Sequence, residues 1–203
     1  MTIIKRLMLI IGILAAVMAS MVVWNYVQLN QVVVLADKAE SMRVPQLRGM
    51  AAVELNVTRV SLQLRHSILA RTPQEQQAAL DDIAQKRRDI DSALQDYEKK
   101  LHTDEGRQRF APVPGLVQAF WRHGEANLRL IQNGQKEEAF AYLVDQTIPA
   151  RNALLQVLAG TVEYQTKGLS NDINGIKALI HTNLVLGTVV LVAIVAALVG
   201  FAV

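Results

Sequence analysis

The sequence predicts an all-α fold: a membrane-anchored, up-down-up-down four-helix bundle held between two transmembrane helices. Three observations predict it. Long apolar runs stand at both ends of the 203-residue chain. Between them, apolar residues recur at spacings of three and four, the period of a helix that faces a core. Helix-stop and helix-start residues cut the intervening segment at three places, which leaves four helical stretches.

Composition supports the class and narrows the function. Hydrophobic residues make up 51% and aromatics only 5%, a mixture that suits long helices better than a β-sandwich. The formal charge of +3 is small. Its longest basic run, Lys86-Arg87-Arg88, is followed at once by Asp89, so no nucleic-acid surface is legible. With no cysteine in the chain, disulfides, thiol catalysis and thiolate metal sites are excluded.

Residues 1–6 read as a short cytoplasmic start with Lys5 and Arg6, and residues 7–31 as the first transmembrane helix. Its apolar run, residues 7–23, is interrupted only by Ser20, and about 20 helical residues cross the hydrocarbon core. Trp24 and Tyr26 suit the interface beyond, and the basic residues before the run keep the N-terminus inside. The alternative is a signal peptide cut near Val17-Met18-Ala19. The apolar run exceeds the usual h-region of roughly 7–15 residues, which favours an uncleaved helix. Residues 184–203 form the second span, without a charge. Its small residues Gly187, Thr188, Ala193, Ala196, Ala197 and Gly200 suit either close helix packing or ordinary span composition. No basic residue follows, so the expectation is a chain cut before a cytoplasmic part.

Residues 32–183 are the predicted bundle. The first break is Arg71-Thr72-Pro73-Gln74-Glu75, where Thr72 caps, Pro73 opens the helix and Glu75 completes a capping box. The second is residues 102–115, rich in Pro and Gly, and the third is Asn133-Gly134. Met42, Leu47, Met50, Leu55, Leu62 and Leu69 mark the first helix. Leu80, Ile83, Ile90, Leu94, Tyr97 and Leu101 form a heptad seam on the second, with Arg87 in its one polar slot. Val117, Trp121, Gly124, Leu128 and Ile131 stripe the third. The fourth runs from about Gln135 into the second span. Pro45 and Pro149 predict a bend or a short break in the first and fourth helices.

No enzyme is legible. The four histidines, His66, His102, His123 and His181, lack the spacing of a bundle metal site. There is no Gly-rich phosphate loop and no nucleophile elbow, and no cofactor is implied. Asp81, Asp82, Asp89 and Asp91 share a helix with Lys86, Arg87 and Arg88 and read as a salt-bridged face. The first bundle helix is more suggestive. Arg48, Arg59 and His66 fall near one face, Arg65 adjoins it, and no acid stands between Glu54 and Glu75. Unpaired guanidinium groups suit a carboxylate, because the planar fork meets both oxygens; plain solvation is the competing reading.

The arrangement resembles the input half of bacterial methyl-accepting chemotaxis receptors, in the sensor class of the aspartate and serine receptors. Asn56-Val57-Thr58-Arg59 is similar to the family's Asn-Leu-Ser-Arg. Ala141-Tyr142 and Thr147 are similar to its fourth-helix Tyr and Thr that contact the ligand, and Arg151-Asn152-Ala153 resembles a Gln-Asn-Ala that follows, with Arg in place of Gln. Glu54 and Gln63 stand where two further family arginines would fall, so aspartate or serine specificity does not transfer. The resemblance implies a homodimer in the bacterial inner membrane, with the bundle in the periplasm. It implies a small anionic ligand, an organic or amino acid, held by Arg59, Arg65, Tyr142, Gln146, Thr147 and Arg151. It also implies output to a cytoplasmic chemotaxis kinase and adaptor. Two alternatives stay open: the input domain of a histidine kinase or cyclic-dinucleotide enzyme, and a non-signalling scaffold for a partner protein.

Overall fold

The computed structural model describes residues 3–202. Met1, Thr2 and Val203, together with the side chains of Ile3, Arg6, Leu7, Phe201 and Ala202, lie outside the described residues. Among the described residues seven α-helices follow one another: α1 Ile3–Lys38, α2 Val44–Leu69, α3 Pro73–Lys99, α4 Asp104–Phe110, α5 Val113–Gln132, α6 Lys136–Tyr142 and α7 Ile148–Ala202. Two π-helical turns, Ala39–Arg43 and Leu143–Thr147, join α1 to α2 and α6 to α7. The chain divides into two compact units: Met1–Ser41 with Leu169–Val203, and Met42–Gly168.

In the first unit α1 and the C-terminal part of α7 pack along a half-buried seam. Met21, Asn25, Gln28, Val32 and Leu35 supply one side; Leu179, Asn183, Gly187 and Val190 supply the other. Glycine lets the helices approach. A Cβ on Gly187 would stand 3.3 Å from the Met21 side chain, and one on Gly175 3.4 Å from Leu35. Lys38 Nζ lies 3.1 Å from Asp172 Oδ1 at the polar end of the seam. The outward faces stay apolar and exposed, as at Val22, Val23, Leu191 and Val192. Both helices are long and apolar enough to cross a membrane.

The second unit is the four-helix bundle, built from α2, α3, α5, and α6 continued into α7. Its core holds Met50, Val57, Leu64, Ile90, Phe120, Ile131, Leu143 and Leu154, all inaccessible to solvent or nearly so. The heptad seam of α3 is buried or half-buried as its spacing requires, and Arg87 is its exposed member. The first break is a cap. Thr72 Oγ1 accepts from Glu75 N at 3.2 Å, and the Glu75 carboxylate accepts from Arg71 N at 2.9 Å. The carboxylate thus reaches one residue further back than a standard capping box. At the third break Gly134 takes φ 75, and its N–H donates to Ile131 O while that of Gln135 donates to Leu130 O. This is a Schellman stop, with glycine where the left-handed conformation demands it. The second break is not plain loop, because Thr103 caps the short helix α4 by accepting from Gly106 N at 3.1 Å.

One expectation is corrected and another is made specific. Leu55, Leu62 and Leu69 do not face the core; they are 51%, 56% and 66% exposed. The inward face of α2 is Met50, Val53, Val57, Val60, Leu64 and Ile68. Pro45 and Pro149 do interrupt regular α-helix, but with a π turn rather than a loop. Proline removes one donor and its ring collides with the carbonyl four residues earlier. Those carbonyls belong to Ser41 and Asp145, each the middle residue of a π turn. Widening one turn relieves the collision, and the helix resumes.

Candidate functional site

The outer face of α2 carries the first group of predicted residues. Positions 48, 52, 55, 59, 62, 66 and 69 advance by alternating fours and threes, and each is exposed. The stripe therefore interleaves Leu55, Leu62 and Leu69 with Ala52, Arg59 and His66. Neither Arg59 nor Arg65 has a carboxylate partner among the described residues. Towards the end of α2 a shallow depression of about 460 Å³ is lined by Leu62, Arg65, His66, Leu69, Arg71 and Glu75. Glu75 is its one acid, and that carboxylate already accepts the Arg71 N–H. Lys136 adds a cation at the same end of the bundle, donating to Ala70 O at 2.8 Å. Glu137 stands beside Lys136 against Leu69, so Arg65, Arg71 and Lys136 outnumber the acids Glu75 and Glu137 there.

The second group lies where α6 meets its π turn. The Tyr142 hydroxyl is 3.0 Å from His123 Nδ1, and Thr147 Oγ1 donates to the His123 carbonyl at 3.5 Å. Thr147 is fully buried, so its hydroxyl faces the bundle interior. One helical turn along α5, Asn127 Nδ2 donates to Ala139 O at 2.8 Å, while its Oδ1 is buried with no partner among the described residues. Gln146 is exposed. The Arg151 guanidinium donates to Asn152 Oδ1 at 3.1 and 2.8 Å.

Within one chain, then, Tyr142 and Thr147 come together through His123, and Arg65 joins His66 and Arg71. Arg59 lies out on the stripe, and no described hydrogen bond ties it to Tyr142, Gln146 or Thr147. Sequence reasoning missed His123 and Asn127. Their i, i+4 spacing on the apolar face of α5, beside Phe120, Gly124 and Ile131, was the available signal. Their partners come from another helix and leave no spacing to read.

Residues 1–174 match the model of a four helix bundle sensory module for signal transduction. A search of curated proteins finds no match. The match covers most of the chain and agrees with the bundle and its two long apolar helices. The chain belongs to the family of four-helix-bundle sensory modules for signal transduction, the chemoreceptor-type sensors that its sequence resembles.

Proposed function

We propose that this chain is the sensing half of a bacterial inner-membrane chemoreceptor, whose periplasmic bundle binds a small organic or amino acid anion. In this reading residues 7–31 and 184–203 are the spans, and residues 32–183 carry the sensor. Arg59 and Arg65 take the ligand carboxylate, with Tyr142, Gln146 and Arg151 presenting polar groups from the α6–α7 side. Thr147 acts from the interior by holding His123, and hence Tyr142. The observation that carries the reading is the exposed stripe of α2. Leucines at heptad spacing on an outer face suit a second copy of the same helix, and Arg59 then lies on the seam between the copies, without an acid of its own chain.

Transmission rests on α7, which continues as one helix from Ile148 to Ala202. A ligand that favours one position of its bundle part would slide the span by roughly 1–2 Å, the usual scale of such shifts. The ligand must bind one state better than the other. The output passes to a cytoplasmic chemotaxis kinase and adaptor. The test is a chimera joining residues 1–203 to a chemoreceptor signalling domain, assayed for kinase output against a panel of carboxylates. A response to one carboxylate, lost in Arg59→Ala, is the expected result. A response unaltered by Arg59→Ala, or none across the panel, would contradict the reading.

A further inference from the structure

We propose that the groove between α3 and α5 is a second binding site, for a small dicarboxylic acid. This groove lies on residues separate from the α2 stripe and encloses about 560 Å³, within the usual range for small-molecule sites. Arg87 reaches into it from α3; Gln118, Trp121, Arg122, Glu125 and Arg129 line it from α5. Arg122 and Arg129 are two helical turns apart and so share a face, with Glu125 between them. Arg87 Nη1 lies 2.7 Å from Glu125 Oε1, and both side chains are nearly half exposed. The Arg87 guanidinium also sits 4.9 Å over the Trp121 ring.

Three features point to an anion. Neither Arg122 nor Arg129 has a carboxylate partner among the described residues, although Glu125 stands between them, whereas Arg107 and Arg109 are each paired with an acid of their own helix, Asp104 and Glu105. The Trp121 indole N–H is buried without a hydrogen-bond partner among the described residues, in a side chain only 6% exposed. And the groove already receives a carboxylate, that of Glu125, on Arg87. Three guanidinium groups against one carboxylate leave a charge of +2. A dianion neutralises that charge, and the planar forks of Arg122 and Arg129 match its two carboxylates. A surface salt bridge alone would explain Arg87 and Glu125 but would leave the other two arginines unused.

The experiment uses the full chain in detergent micelles with Trp24→Phe, so that Trp121 is the sole tryptophan and is excited selectively, beyond the tyrosine absorption band. Succinate, glutarate and adipate are titrated at constant ionic strength, with acetate and chloride as controls. The expected result is a saturable change in Trp121 emission with a dicarboxylate. Arg122→Gln with Arg129→Gln should weaken it about tenfold or more, the scale of charged hydrogen bonds lost. Glu125→Gln should tighten it, by removing the internal competitor from Arg87. Both arginines are exposed, and an unchanged helical circular dichroism spectrum confirms folding. If a variant misfolds, the Glu125→Gln comparison decides. No saturable change, a change matched by chloride, or equal affinity in the double glutamine variant would overturn the proposal. Loss of the signal in Arg59→Ala would also overturn it, by placing the dicarboxylate on α2.

Discussion

Tyr97 shows how much a single side chain ties together. It lies 3% exposed on the α3 seam, packs against Phe110 at 5.3 Å and accepts a hydrogen bond from Gln165 Nε2 at 2.8 Å. Gln165 Oε1 in turn accepts from Arg43 at 3.3 Å. Burial pushes the Tyr97 phenol above its ordinary value of 10.0, against the opposing pull of the Gln165 bond. A raised value means that the fold prefers the neutral phenol. Its contribution is therefore complete below about pH 10 and is lost as pH rises through the folded value. Melting midpoints between about pH 9 and 11 should fall more steeply for the wild type than for Tyr97→Phe. Parallel curves would contradict this. At the α2–α3 connection, Thr72→Ala should cost about 1 kcal/mol by leaving the Glu75 N–H without its acceptor, measured by denaturant unfolding. Local chemistry of this kind was legible: Thr72, Pro73, Glu75 and Gly134 act on neighbours within a few residues. The Tyr97–Gln165 pair was not, because its partners stand 68 residues apart and no spacing announces them.

The helices show where pattern reading succeeds and where it meets a choice it cannot make. On α3 one apolar seam exists, and the core took it. On α2 two exist: the valine-rich face of Val53, Val57 and Val60, and the leucine stripe of Leu55, Leu62 and Leu69. Both have helical period, and periodicity alone does not say which one meets α3 and α5. The core took the face of Val53, Val57 and Val60, which also carries Met50, Leu64 and Ile68, and the leucine stripe lies outside. The prolines were legible as sites of distortion, but their outcome as π turns was not, because a break and a widened turn relieve the same collision. Pro149→Ala restores the missing donor and removes the collision with Asp145. The π turn Leu143–Thr147 should then close into regular α-helix, with amide exchange slowing across residues 143–149. Unchanged exchange would show that packing around Thr147, not Pro149, sets the turn. π turns frequently mark functional positions, and this one carries Gln146 and Thr147.

At the scale of the whole molecule, the bundle between two apolar helices was legible because anchors, periodicity and breaks agreed. The proposed ligand site is less legible, in the sequence and in one chain alike. Arg59 and Arg65 stood out as cations without acids, but one chain does not gather them with Tyr142, Gln146 and Arg151. In the proposed reading a second copy, seated on the α2 stripe, completes the site. Leu55→Asp with Leu62→Asp should therefore abolish the dimer in micelles, seen by sedimentation, while the helical signal persists, since both leucines are exposed in the single chain. A dimer that survives would move the interface to another face. The central claim, that the bundle senses a small carboxylate through Arg59, is tested most directly by thermal unfolding of the full chain against a panel of carboxylates and amino acids. Ligand binding to the folded state alone stabilises by about 2.7 kcal/mol at a hundredfold excess over Kd. The account predicts a raised midpoint with one carboxylate, and its loss in Arg59→Ala. A midpoint unmoved across the panel, or raised equally in Arg59→Ala, would contradict it.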